Sequence, residues 1–227
     1  MADVDRTRYR DLTEPFSVVA LEVQRVDNCL VRVRAPQPPS NSVTVGDTVA
    51  IDVGEGELRR YTVSAADAAT FEFIGFLTQQ GPATAFLAAL NAGSTLNGQA
   101  PERAVKMPDN DVKWAVVVGD ESVVGSARGV VALTQGEVHV VVKSAQTLSE
   151  ASALIGANTF SQHMSDDEVI AGVTSCVEAH GTDGAWALLV GEQSVNNKVR
   201  QHLFSLGFSK DQVATRTFWR PDRVGIE

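Results

Sequence analysis

Cysteine is scarce in this chain of 227 residues, basic side chains are outnumbered, and aromatics make up only 6%. The two cysteines, Cys29 and Cys176, lie far apart and outside any CxxC or Cys/His ligand spacing, which excludes a disulfide framework and a cysteine-bound zinc. The four histidines, His139, His163, His180 and His202, show no clustered ligand spacing either, so they read as structural or surface residues and no metal ligand is expected. Nineteen Lys and Arg against 28 Asp and Glu leave a net charge of -9, which argues against a grip on nucleic acid or an anionic membrane. No stretch approaches the ~18 apolar residues of a membrane span. The charged segment Met1 to Leu12 carries no apolar core of a signal peptide. The expectation is a cytoplasmic protein, monomer or weak dimer, with no nucleic-acid partner and no membrane insertion.

What is present is a change of grammar near the middle. From Phe16 to Arg34, two alternating apolar runs broken at Asp27-Asn28 predict a hairpin. Further strands are expected over Thr48 to Val53, Leu58 to Val63 and Thr70 to Leu77. Several short strands before any helix predict an antiparallel barrel. A first helix follows Gly81-Pro82-Ala83-Thr84, with Gly93 as its stop. A loop rich in Gly, Pro and charge from Gly98 to Asp111 marks the boundary. Beyond it the strands WAVVV, VHVVV and WALLV alternate with helices over Glu121 to Leu133, Asp166 to His180 and Ser194 to Leu206, closing with Val213 to Phe218. Near-continuous apolar strands are what a parallel sheet covered on both faces requires. The predicted fold class is a β-barrel plus α/β: an antiparallel barrel over 1–106, then a parallel-sheet nucleotide-binding domain over 107–227. Such a pair can hold a redox cofactor between its halves.

The segment Arg59-Arg60-Tyr61-Thr62 lies on an alternating strand, so Arg59 and Tyr61 share one face and Arg60 takes the other. A guanidinium binds a pyrophosphate bidentately, a phenol packs on an isoalloxazine, and a threonine hydroxyl meets the ring edge. Taken alone, the same letters describe a surface arginine pair beside a core tyrosine. Gly81-Pro82-Ala83-Thr84 offers a helix N-terminus to a phosphate. Gly119-Asp120-Glu121-Ser122 and Gly191-Glu192-Gln193-Ser194 each follow an apolar strand, at the end where nucleotides bind in open sheets. Neither is a GxGxxG fingerprint, and an ordinary strand-to-helix turn also explains each. Lys143 ends strand VHVVV, a position suited to the 2′-phosphate of NADPH. Thr217-Phe218-Trp219-Arg220-Pro221 places two aromatics and an arginine at the end of the last strand.

In this order, RRYT, GPAT, GDES, AWALLVGE and FWRP resemble the siderophore-interacting protein family, the ferric-siderophore reductases of the ferredoxin-reductase-like superfamily, from about Phe16 to Arg223. The resemblance implies FAD bound by Arg59, Tyr61, Thr62, Gly81, Ala83 and Thr84, with Thr78 beside them and the tail Trp219 expected to reach back to the flavin. It implies NADPH or NADH beside Gly119, Asp120, Glu121, Gly191 and Glu192, where Lys143 is also expected from its strand end. Arg60 and Arg220 would face the substrate, a small-molecule ferric chelate, and no side chain is singled out as catalytic. Thr78 stands where the family has a histidine and Ala50 where it has a lysine. The implied activity is electron transfer from NAD(P)H through FAD to a ferric siderophore, releasing Fe(II) for use inside the cell. Alternatives are another acceptor (ferredoxin, free flavin or a small oxidant) and a family member that binds its ligand without redox chemistry.

Overall fold

In a computed structural model, residues 14–39, 42–77, 81–103, 106–108 and 111–220 are described. They form two compact units. The first holds the described residues up to Arg25 and from Leu30 to Arg103; the second holds the turn Val26–Cys29 and the described residues from Lys106 onward.

The first unit is an antiparallel sheet of β1 (Glu14–Val19), β2 (Glu22–Val26), β3 (Leu30–Pro36), β4 (Asp47–Asp52), β5 (Leu58–Ala66), β6 (Thr70–Phe76) and β7 (Thr95–Arg103), ordered β1-β7-β4-β5-β6-β3-β2. Alternation sets its faces: on β3, Val31, Val33 and Ala35 are fully buried while Arg32 and Arg34 stay partly exposed. The edge strands β1 and β2 are joined only by Ala20 and Leu21. Ala20 N–H reaches Ser94 O at 2.9 Å and Leu21 N–H reaches Arg34 O at 2.8 Å. A sheet whose two edges are adjacent in sequence must curl on itself, and this gives the barrel form. Phe16, Ile51, Phe71, Phe73, Leu87 and Leu96 fill it.

Two expectations change here. The run Phe16 to Arg34 makes three strands rather than two, because the break at Ala20-Leu21 is apolar and carries no turn signal. Strand β7 occupies Thr95–Arg103, where a linker was expected from Gly98. Gly98 is there for close approach: a Cβ would lie 2.3 Å from Ala50 O.

Helix α1 (Pro82–Ala89) seats Leu87 over Gly75, where an added Cβ would meet the leucine at 2.6 Å. It ends well before Gly93, correcting the expected stop; Gly93 instead lies in a turn at φ 91. Arg25 supplies the missing cap. Its guanidinium donates to Leu87 O and Ala88 O at 2.8 Å and to Leu90 O at 3.1 Å.

The second unit runs β8 (Trp114–Gly119), α2 (Val123–Leu133), β9 (Glu137–Lys143), α3 (Ser149–Ile155), β10 (Thr159–His163), α4 (Asp166–His180), β11 (Ala185–Glu192), α5 (Gln193–Ser205) and β12 (Val213–Trp219). The strands are parallel in the order β10-β9-β8-β11-β12. Chain order reverses at β8, so the carboxyl ends of β8 and β11 flank a topological switch point. Helix α4 opens on a capping box between Ser165 and Glu168. Helix α3 and strand β10 were not expected. The residue preceding α3 is Leu148, which has no capping group, and β10 is a polar edge strand without an apolar run. The histidines expected to lie apart do not: the His139 and His180 rings are 4.5 Å apart between centroids, because α4 returns along β9 and ends beside that strand's beginning. Among the described residues, no helix is long and apolar enough to cross a membrane.

Leu87→Ala is expected to destabilise the first unit by about 2–4 kcal/mol, since Leu87 is 1% exposed and Gly75 opposite offers no side chain to refill the space. Urea denaturation checks this; a loss below 1 kcal/mol, roughly the smallest buried-methylene effect, would contradict the packing described.

Candidate functional site

On β5, Arg59 pairs with Ile51, Arg60 with Ala50, Tyr61 with Val49 and Thr62 with Thr48. Arg59 and Tyr61 therefore share a side of the strand, and Arg60 is exposed on the other. The Tyr61 ring leans on Phe73 at 4.8 Å between centroids and joins the margin of the barrel core. Its hydroxyl is buried without a hydrogen-bond partner. Burial pushes the phenol up to about 12, against the opposing pull of Arg59, so it remains a protonated donor. Arg59 donates to Leu58 O at 3.0 Å and pairs with the Glu57 carboxylate, while its side chain stays 32% exposed. Thr62 is buried. Ala50 is buried between Arg60 and Gln99, so the position at which the resemblance leads one to expect a lysine is uncharged and enclosed.

Helix α1 begins at Gly81 and Pro82 with no side chain capping it and no acidic residue in its first turn. Gly81 and Pro82 are exposed at this positive dipole end, and Ala83 and Thr84 are half-buried beside it. Thr78 lies outside the described residues, as does Arg223.

In the second unit the structure brings Gly119, Asp120, Glu121, Lys143, Gly191, Glu192 and Trp219 to the carboxyl end of the sheet. Asp120, 9% exposed, is the hub. Its Oδ1 accepts from Ser122 N–H at 2.9 Å and from the Ser122 hydroxyl. Its Oδ2 accepts from Glu192 N–H at 3.0 Å and from the Trp219 indole N–H at 2.5 Å. Trp219, expected on the flavin side, is thus tied into this strand-end group while 39% exposed. Both glycines are needed for close approach. A Cβ on Gly119 would lie 2.3 Å from Val190 O; one on Gly191, at φ 99, would lie 2.4 Å from Asp120 Oδ2.

Beside this hub, Ser144 donates to Glu121 Oε1 at 2.5 Å. Lys143 is held 2.6 Å from Asp166 Oδ1 and 3.8 Å from Glu192 Oε2, and Lys198 reaches Asp166 Oδ2 at 2.5 Å. The ammonium expected to meet a 2′-phosphate is therefore already paired. The hydrogen bonds from Lys143 and Lys198 hold the Asp166 carboxyl below its ordinary range, and the bond to Asp166 raises Lys143. At the end of β12, Arg220 has a buried Nε without a hydrogen-bond partner. Ser144 and Asp166 were missed from sequence, and Ser122 was read only as the end of the GDES turn; Asp166 sits at a readable position, the first residue of a helix after a serine.

The close approaches at the strand-end glycines are internal ones, to Val190 O and to the Asp120 carboxylate. No protein-family model and no curated protein matches the chain. Among solved structures it is similar to the siderophore-interacting protein from Acinetobacter baumannii, with TM-score 0.71 and 14% identity over 93% of this chain and 92% of that one. It is similar to a siderophore utilization protein from T. fusca, with TM-score 0.71 and 18% identity over 95% and 96%. It is also similar to a ferredoxin NADP+ reductase from Neisseria gonorrhoeae with bound FAD and NADP, with TM-score 0.67 and 16% identity over 89% and 98%. These likenesses establish the fold: a curled antiparallel sheet and a parallel sheet in the ferredoxin-reductase-like architecture.

Gly191→Ala is expected to cost about 1–3 kcal/mol, because alanine at this positive φ is strained and its methyl meets the Asp120 carboxylate. A thermal melt checks it, and an unchanged midpoint would contradict the strand-end packing. Asp166→Asn tests the ion pair through pH. Unfolded aspartate titrates near about 3.9, and the folded carboxyl lies lower, so the stabilisation is present above about pH 4 and fades as pH falls through the folded value. Because the group is partly exposed, the loss at neutral pH should be at most about 1 kcal/mol. Urea midpoints of wild type and variant should converge in acid; a gap that persists there assigns the effect to something other than charge.

Proposed function

We propose that this chain is a flavin-dependent oxidoreductase that takes electrons from NADH or NADPH and delivers them to a small ferric chelate. The observation that carries the reading is the strand-end junction. Two glycines that tolerate no Cβ meet around a buried carboxylate at the switch point of a parallel sheet, the place where such sheets take nucleotides. Glu121 and Glu192 accept the ribose hydroxyls. Because Lys143 is engaged by Asp166, a 2′-phosphate has to displace a carboxylate, which favours NADH.

The residues of the first unit suit FAD. The orphaned Tyr61 hydroxyl needs an acceptor, α1 has an uncapped N-terminus, and Arg59 is partly exposed beside them in the chain. Arg59 and the α1 start, with Gly81, Ala83 and Thr84, hold the phosphates; Tyr61 and Thr62 orient the ring. FAD, when bound, supplies hydride acceptance and single-electron release. The barrel over 1–106 is then the flavin domain and 107–227 the nucleotide domain, acting in the cytoplasm as a monomer or weak dimer.

For the acceptor, the names of the A. baumannii and T. fusca relatives support a ferric siderophore. An anionic chelate approaching a chain of net charge -9 needs local cations; exposed Arg60 is suited to it on the first unit and, taken separately, Arg220 at the end of β12 on the second. Loss of iron then follows from reduction, because hard oxygen donors hold Fe(III) better than Fe(II). The uncharged, enclosed Ala50 favours a second reading in which the acceptor is a different small oxidant.

The test is anaerobic. Protein reconstituted with FAD should show the visible flavin bands and bleach with NADH faster than with NADPH. It should then recover colour on a ferric hydroxamate or catecholate faster than on ferredoxin. Tyr61→Ala and Arg59→Ala should each weaken FAD by about tenfold, or 1.4 kcal/mol. A protein that stays colourless with FAD, or unchanged FAD affinity in both variants, overturns the flavin reading; recovery only on ferredoxin overturns the acceptor.

A further inference from the structure

At the opposite, amino-terminal end of the parallel sheet lies a cluster that the flavin reading does not use. Glu137 and His139 are two residues apart on β9 and so share its α4-facing side. His180, the last residue of α4, comes down beside them. One ligand-capable atom from each of the three lies within 4.8 Å of the others. Trp114, at the start of β8, packs its ring against both imidazoles, at 5.9 Å from His139 and 5.2 Å from His180 between centroids.

His139 is only 4% exposed, and its two nitrogens have different surroundings. Nδ1 lies 2.9 Å from the Thr159 hydroxyl, its register partner on β10. Nε2 is buried without any hydrogen-bond partner; the nearest charged atom is Glu137 Oε2 at 3.6 Å, beyond hydrogen-bond reach. With Thr159 accepting from Nδ1–H, Nε2 carries a lone pair, buried 3.6 Å from Glu137 Oε2 and beside the His180 ring. A hydrogen bond of this kind, at the other ring nitrogen, fixes the tautomer and orientation of a metal-bound histidine. A buried nitrogen lone pair with no donor is costly unless something fills its direction.

We propose that Glu137, His139 and His180 form a binding site for a divalent transition cation of the zinc class, clamping the start of β9 to the C-terminal end of α4. Two imidazoles and one carboxylate suit that ion rather than magnesium or calcium, which take oxygen donors. A tetrahedral zinc with bonds of about 2.0–2.1 Å sets its ligand atoms about 3.4 Å apart. His139 is fixed by Thr159 and Trp114, whereas Glu137 and His180 are exposed and can close the remaining ångström or so by side-chain rotation. Their exposure also leaves the fourth position to water. The cation lies at the negative end of the α4 dipole, which favours it further. The site stands independently of the flavin reading, since none of its residues belongs to the nucleotide end of the sheet.

Calorimetric titration of tag-free, chelator-treated full chain with Zn²⁺ tests this, with Co²⁺ as a spectroscopic probe and Mg²⁺ as the control. One equivalent of zinc should bind, Co²⁺ should give the strong visible bands of a four-coordinate N/O site, and Mg²⁺ should not compete. Glu137→Gln and His180→Ala change exposed side chains, so folding should be kept; each should weaken zinc at least about tenfold, and the pair should abolish the cobalt bands. Zinc binding unchanged in both variants, no binding by wild type, or equal competition by Mg²⁺ would each overturn the site.

Discussion

Asp120 gathers donors from the turn after β8, from β11 and from β12, and the shape of the nucleotide end of the sheet follows from satisfying that buried carboxylate. It accepts from Ser122 twice, from Glu192 N–H and from the Trp219 indole. Losing a donor to a buried charged acceptor costs several times what an exposed pair is worth. The carboxylate also occupies the space in which a side chain at position 191 would sit, so glycine there follows from aspartate here. The result is a set of loops already held in place, with a half-exposed indole fixed at their edge. A preorganised site of this kind binds without having to order its own walls.

Helix α4 and strand β9 form a second axis. At one end, the first residue of the helix, Asp166, holds Lys143; at the other, the last, His180, meets His139. Between them Val169, Val173 and Val177 pack toward the sheet with Val141. Hydrophobic burial supplies the adhesion, and the polar pairs at the two ends fix how far the helix can slide along the strand. One end is electrostatic and lies beside the nucleotide loops, whereas the other is a cluster of nitrogen and oxygen donors.

Most strands of both sheets, though not β7 or β10, were legible because their side-chain pattern is dictated by what covers them. WAVVV and WALLV are buried throughout, as a sheet covered on both faces demands, and β3 alternates as a barrel strand must. The candidate residues after β8 and β11 were legible for the same reason, since a glycine ending such a strand marks its carboxyl end. What escaped were features made by contact between distant residues. Strand β10 lies at an edge and is polar, so no periodicity marks it. The bond between Asp120 and Trp219 spans 99 residues, and the meeting of His139 with His180 depends on where a helix ends. In the first unit, the stop of α1 was read from Gly93, whereas Arg25 makes it from a strand 62 to 65 residues earlier.

The start of α3 has the same character. No side chain of its own segment caps it; Asp27, in the turn after β2 and at φ 49, accepts from the Ser149 hydroxyl at 3.0 Å and from Glu150 and Ala151 N–H at 3.1 Å. The cap and the helix are separated by 122 residues. A seven-residue helix is too short to persist by propensity alone, so α3 depends on a partner that tertiary folding brings to it. A substitution at Asp27 is thereby felt at the start of a helix in the later half of the chain, although nothing in the sequence around that helix records the dependence.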